Sequence, residues 1–345
     1  MVRPLDTIGR STAQGRRVFG GDETPGKSST ATVAGVQMVA EVAEALITNL
    51  DQVVRGKPEA VRLAVTALLA GGHLLIEDVP GVGKTLLAKA LARSLGGTFA
   101  RVQATPDLLP TELTGINVFH PKDERWEFRP GPVFAHVLLV DEVNRATPRT
   151  QSALLEAMEE RQVTVDGDTR ALPHPFFLVA TQNPFEHVGT FPLLEGQRDR
   201  FALVVHLGHP DRAAERELLL GTGGNDALAQ LSPVISPPGM AAAMTAVRQV
   251  HCSPAVADYL IDLAAATREH PEVVTGASPR ASLSLLDSAK ATAAMAGRAF
   301  VLPDDVKAVA GPALAHRLIL SAGPDMEAGA DIVAKVLRSI PAPRR

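Results

Sequence analysis

Lys84 and Thr85 close the run Asp78-Val79-Pro80-Gly81-Val82-Gly83-Lys84-Thr85. Glycines at that spacing let backbone N–H groups approach phosphate oxygens. The lysine reaches β and γ oxygens, and the threonine hydroxyl can hold Mg²⁺. Pro80, Gly81, Val82, Gly83, Lys84, Thr85 and Leu86 are therefore candidate nucleotide contacts. The strict pattern begins with Gly, where this chain has Asp78. A second apolar run, Val137-Leu138-Leu139-Val140, ends in Asp141-Glu142. Two carboxylates there could serve a metal (Asp141) and an attacking water (Glu142), or could simply make a solvated turn. A third run, Phe176 to Ala180, ends in Thr181-Gln182-Asn183-Pro184. Asn183 could orient a water at a γ-phosphate, or could start an Asn-Pro turn.

Such residues act together only if a fold brings them to one edge. His73 to Ile76, Thr98 to Val102, Val137 to Val140, Phe176 to Ala180 and Phe201 to Val205 read as five short buried strands. Helical patterns over Leu86–Leu95 and Thr150–Arg161 fall between some of them. This alternation predicts an α/β fold, a parallel sheet covered by helices on both faces. The phosphate loop then sits between a strand and a helix N-terminus, whose dipole favours an anion. Val39, Val42, Leu46 and Leu50 predict an amphipathic helix from about residue 36, and Pro58 opens another that stops at Gly71-Gly72. Beyond about residue 211 the β signal fades into Ala/Leu-rich helical patterns, interrupted by the Pro-rich connector 232–239. The division expected is a flexible tail over 1–34, an α/β core over 35–210 and an all-α domain over 211–345. The tail reading rests on its Gly, Ser, Thr and charged composition.

The chain has 345 residues, a formal net charge of −4 and 46% hydrophobic residues, enough to bury substantial cores. One cysteine, Cys252, excludes an internal disulfide framework. It is expected to be a small core residue. The ten histidines lack metal-ligand spacing. One Trp, one Tyr and no long basic run disfavour a nucleic-acid binder built on basic patches or stacking. No run of about 18 apolar residues and no apolar leader segment point to a cytoplasmic chain without a membrane span.

Four stretches carry a family resemblance: Asp141 to Ala146, the helix Thr150 to Glu160, Ala180 to Pro184, and Gly276-Ala277-Ser278-Pro279-Arg280-Ala281. Together they resemble the MoxR family of AAA+ ATPases, over about residues 37–340. Asp78 fits that family, whose loops often lack the first Gly. The resemblance implies a five-stranded AAA+ core with a C-terminal helical lid and Mg²⁺-dependent ATP hydrolysis. Asp141 becomes the Walker B metal ligand beside Thr85, Glu142 the catalytic glutamate, and Asn183 sensor 1. Arg280 matches sensor 2, reporting the γ-phosphate to the lid, and otherwise reads as a surface cation. A guanidinium suits that task because it stays charged and grips phosphate oxygens as a fork.

The same resemblance puts an arginine finger, reaching the neighbouring subunit's nucleotide, within Leu193 to Phe201. Arg200 is favoured and Arg198 is the competitor. Val53-Val54-Arg55-Gly56 resembles the adenine-side contact, making Val54 and Gly56 candidates. Thr111–Pro132 and Gln162–Pro173 look like family inserts, both expected as hairpins, the first facing the pore of a ring. Trp126 in that first insert either grips a client or packs the hairpin base. The implied partners are copies of this chain in a ring, most simply a hexamer, and a client protein. The family often works beside a protein with a von Willebrand factor A domain. A motor on nucleic acid and a nucleotide-gated scaffold without turnover are the alternatives. DNA-stimulated ATPase activity would indicate the first, and a defective site the second.

Overall fold

The computed structural model describes residues 27–184, 189–220, 224–323 and 325–343. Two helices, α1 (Lys27–Val53) and α2 (Pro58–Leu69), precede β1 (Leu74–Glu77), α3 (Lys84–Ser94) and β2 (Phe99–Gln103). A short helix α4 (Pro110–Thr114) leads into the hairpin β3 (Gly115–His120) and β4 (Arg125–Pro130). Next come β5 (Val137–Asp141), α5 (Pro148–Glu160), the hairpin β6 (Gln162–Val165) and β7 (Asp168–Ala171), and β8 (Phe177–Gln182). A single turn of helix, α6 (Glu195–Arg198), precedes β9 (Leu203–Val205).

The central sheet is parallel, in the order β2-β5-β8-β1-β9. Alternate residues point to opposite faces. Leu74 and Ile76 of β1, Leu139 of β5 and Val179 of β8 therefore face α2 and α3, while Leu75, Leu138, Val140 and Leu178 face α5. The register pairs Gln103 with Asp141 and Glu77 with Gln182. Strand ends bearing the expected functional groups thus share one edge. The strand β8, which Asn183 follows, lies between the phosphate-loop strand and the Asp141 strand.

After β9 the chain is mostly helical: α7 (Arg212–Leu219), α8 (Gly224–Gln230), α9 (Pro237–Arg248), α10 (Pro254–Glu269), α11 (Pro279–Met295), α12 (Pro303–Leu314) and α13 (Met326–Ser339). Several start alike. Ser236, Ser253 and Ser278 each accept an N–H of the first turn ahead of a proline, and Asp211 and Asp325 do the same for α7 and α13. Such caps satisfy N–H groups that a helix start leaves unpaired, while proline gives up an N–H that needed no partner.

Three expectations are corrected. The helix α1 begins at Lys27, inside the stretch read as a tail; residues 1–26 lie outside the described residues. Low-propensity residues there do not stop a helix that can propagate from a buried apolar stripe. That stripe, including Val36, Val39, Leu46 and Leu50, is buried against α2, α3, α9 and α11. Val33–Val53 is long and apolar enough to cross a membrane by composition, with a mean hydropathy of 1.3, yet its apolar face is part of the core. Half of the Pro-rich connector is the capped start of α9. The helical region also holds a two-stranded antiparallel sheet, β10 (Val273–Thr275) with β11 (Ile319–Leu320). These strands are too short for sequence alternation to reveal.

Both inserts are hairpins as expected. Asp166 and Gly167, with φ of 52° and 89°, make the tight turn of the second. In the first, Trp126 is paired with Phe119 near the turn, their ring centroids 5.2 Å apart. Trp126 is 69% exposed, so packing the hairpin base is excluded.

Candidate functional site

Gly81 and Gly83 adopt φ of 88° and 102° between β1 and α3. That left-handed backbone favours glycine. A Cβ at either position would meet nothing within 4 Å, so the loop borders open space. The space is a cavity of about 500 Å³ lined by Pro80, Gly81, Gly83, Lys84, Thr85, Leu86, Asp141, Glu142 and Asn183, together with Arg101 and Thr181. The α3 N-terminus opens onto it, and a triphosphate with its Mg²⁺ fits the donors: loop N–H groups, an ammonium, a hydroxyl and a carboxylate.

The charged groups around it are held in order. Lys84 Nζ donates to Asp78 O at 2.7 Å. Burial pulls the ammonium below its ordinary pKa, opposed by Asp78, Asp141 and Glu142. Asp141 accepts from Arg101 Nε at 2.7 Å and from Thr181 Oγ1 at 3.3 Å. Thr181 Oγ1 in turn accepts the Glu142 N–H at 2.9 Å, which locks the turn after β5 to β8. Glu142 has φ of 54°, an unusual backbone for a non-glycine, and its carboxylate accepts from Arg145 Nη1 at 3.0 Å. Such strain persists where surrounding contacts enforce it, as they do here.

Asp78, the departure from the strict loop pattern, has a structural task. Its carboxylate accepts the Val79 N–H at 2.8 Å and the Gly208 N–H at 2.6 Å, while Lys57 Nζ donates to Gly208 O. The loop is thereby tied to the segment between β9 and α7. Val54 is buried in the core and Gly56 packs against Ala214 of α7; neither lines the cavity, nor does the buried Val82.

The two arginine candidates of the finger segment separate. Arg198 points inward to buried Glu77, with Nη2 3.3 Å from Oε1. Arg200 lies at the surface, with Nε 2.7 Å from Glu159 Oε2. Arg280 does not line the nucleotide cavity of its own chain. It donates to the other oxygen of Glu159, so Arg200 and Arg280 share one carboxylate at the end of α5. The Arg200 hydrogen bond, reinforced by Arg280, holds the Glu159 carboxyl below its usual pKa. Sequence reading had singled out neither Glu159 nor Arg145 and Arg101; their partners lie close in sequence only for Arg145.

Cys252 is partly buried against the core, and burial pushes its thiol up. Among the described residues no group of His, Cys, Asp and Glu could hold a metal by itself.

A parallel sheet in this order, with a phosphate loop after one strand and an acidic pair after another, defines an ATPase fold of the AAA+ class. Residues 73–203 match the model described as "ATPase family associated with various cellular activities (AAA)", and residues 265–336 match the AAA lid domain. The chain is 39% identical over 319 residues to Chaperone MoxR1 of Mycobacterium tuberculosis, covering 88% of this chain and 84% of that one. It is 43% identical over 274 residues to the uncharacterized protein YeaC of Bacillus subtilis, covering 79% and 86%. A crystal structure of a candidate ATPase from Cytophaga hutchinsonii superposes with a TM-score of 0.82 at 35% identity, covering 92% of this chain and all of the other. The chain belongs to the MoxR family of AAA+ ATPases.

Proposed function

We propose that the protein hydrolyses ATP with Mg²⁺ in a homo-oligomeric ring, most simply a hexamer, and spends the cycle on remodelling partner protein complexes. The observation that carries the hydrolytic reading is one cavity lined by Lys84, Thr85, Asp141, Glu142 and Asn183. The loop N–H groups and Lys84 bind the phosphates. Thr85 and Asp141 would hold Mg²⁺, which would supply Lewis-acid polarisation of the phosphoryl oxygens. Asn183 orients a water in line with the γ-phosphorus, and Glu142 takes its proton as the bond to the leaving ADP breaks.

Arg200 and Arg280 act on the next protomer's nucleotide. The reason is their position: both sit on Glu159, outside the cavity that holds their own chain's loop. Arg280 is then a reporter to the adjacent protomer, in place of the within-chain role its motif suggested. A protein client is supported by the chaperone name of a relative with 39% identity. Maturation of a complex, with metal insertion as one form of it, and a companion with a von Willebrand factor A domain extend the reading.

Glu142→Gln is expected to bind ATP with wild-type affinity and lose turnover, measured as nucleotide affinity beside phosphate release. Wild-type specific activity should also rise with protein concentration as rings form. Wild-type turnover in Glu142→Gln would overturn the hydrolytic roles.

A further inference from the structure

Arg317 follows α12 in the lid, and its side chain is only 3% exposed. Its guanidinium spends its donors on the segment that carries Arg200. Nε donates to Asp199 Oδ1 at 2.8 Å, and Nη2 donates to Asp199 O at 3.0 Å and to Phe201 O at 2.9 Å. Nη1 anchors the fork to its own helix through Ala313 O at 2.6 Å. The neighbouring His316 places Nε2 3.2 Å from the same Phe201 O. The backbone on both sides of Arg200 is thus held by the lid.

The joint extends to the second arginine. Ser278 Oγ donates to Asp199 Oδ2 at 3.3 Å and accepts the Ala281 N–H at 3.1 Å as the cap of α11. Arg280 stands in that first turn. One carboxylate, Asp199, therefore bonds Arg317 with one oxygen and the Arg280 helix start with the other, while its own chain continues into Arg200. Phe201 beyond it is buried in the core beneath the sheet. None of these bonds touches the nucleotide cavity of the same chain.

We propose that Arg317 is a positioning residue that makes each protomer's lid set where its own Arg200 and Arg280 stand toward the next protomer's nucleotide. This rests on the trans roles given to those arginines under Proposed function. A planar fork is needed, because four acceptors in different directions cannot be met by one ammonium. Arg317→Lys keeps the charge and loses the geometry. A displacement of about 1 Å in a charge-stabilising group can cost about 100-fold in rate.

The test uses mixed rings of full-length chains. An Arg200→Ala protomer has an intact site and no finger; a Glu142→Gln protomer has a finger and a dead site. Each alone should be nearly inactive, and mixing should restore ATPase activity wherever the second serves the first. If this control mixture stays inactive, the trans reading fails and the proposal falls with it. If it is active, Arg317→Lys is added to the finger-donating protomer, and activity should fall at least about tenfold. The same change in the finger-less protomer should leave the mixture within about twofold, because there Arg317 has no finger to place. A general structural defect would lower both. Equal activity with either donor, or equal loss from both placements, overturns the proposal. Ring formation is checked by sedimentation. If Arg317→Lys does not assemble, Asp199→Asn, which weakens the joint from the core side, is placed in the same two mixtures with the same expected asymmetry.

Discussion

At the scale of single residues, the local environment decides between two arginines that sequence leaves in competition. Arg198 is turned to Glu77, whose side chain is 4% exposed, whereas Arg200 stands at the surface on Glu159. Removing one partner of a buried pair strands the other charge in a medium that solvates it poorly. Arg198→Ala should therefore cost about 3 kcal/mol of stability, read from the denaturant midpoint. Arg200→Ala should leave that midpoint within about 0.5 kcal/mol. It should instead cut assembled-ring turnover by about 10³-fold or more. The reverse pattern would assign the finger to Arg198.

His73 illustrates a charge state fixed by packing. Nδ1 accepts the Leu178 N–H at 3.0 Å, which leaves Nε2–H to donate to Met158 O at 3.1 Å, so the neutral ring has both nitrogens satisfied. Burial, with Arg161 adding to it against the Met158 bond, lowers its pKa to about 4 from 6.5. Above pH 6.5 the ring is neutral in folded and unfolded chains alike. Between 6.5 and 4 only the unfolded chain takes up the proton, so stability falls as pH falls, by about 3 kcal/mol in full. Burial holds His316 well below its ordinary pKa too, with Arg317 and Arg198 adding to it, which acts in the same direction. Urea unfolding at pH 7 and pH 5 should show the loss, and His73→Gln should reduce the difference between them by about 2 kcal/mol. An unchanged difference in that variant would refute the assignment to His73.

At the scale of elements, what could be read in advance was whatever lies in one continuous run. The strands β1, β5 and β8 are apolar up to their last one or two residues because both faces are covered, and their polar ends follow directly in sequence. The phosphate loop and acidic pair were legible for the same reason. The Arg200–Glu159–Arg280 cluster and the Arg317–Asp199 joint were not, since partners lie 41, 121 and 118 residues apart. Nothing in a local pattern distinguishes such an arginine from a surface cation. The β10–β11 pair is likewise set by a long-range contact. The first hairpin shows how closely an insert can be constrained at its root. A Cβ on Gly115 would fall 2.3 Å from Arg129 O and 2.7 Å from Gly131 N, at a φ of 91°. Gly115→Ala should thus loosen β3–β4 while the central sheet keeps its packing. Amide exchange should accelerate over residues 116–129 and stay slow in β5 and β8. Unaltered protection in the hairpin would contradict the predicted clash.

At the scale of the whole molecule, α1 decides whether core and lid behave as two bodies or one. Its apolar face packs on α2 and α9, on α3 within the AAA match and on α11 within the lid match. One contiguous apolar cluster runs from Ile76 and Leu91 through Leu46 and Leu50 to Leu285 and Val306. Domains joined only by a linker lose their packing separately, whereas domains sharing a core lose it together. The wild-type chain should therefore give a single calorimetric transition, with calorimetric and van't Hoff enthalpies in agreement. Leu46 is fully buried in this cluster. Leu46→Ala should destabilise by about 2–5 kcal/mol and lower the one transition without splitting it. Two resolved transitions in the wild type, or a downward shift confined to half of the unfolding heat in Leu46→Ala, would mean that α1 belongs to one domain alone. The lid would then be free to move without the core. A shared core instead couples any displacement of the lid to α1, and the buried Arg317 fork ties the same lid to the backbone beside Arg200.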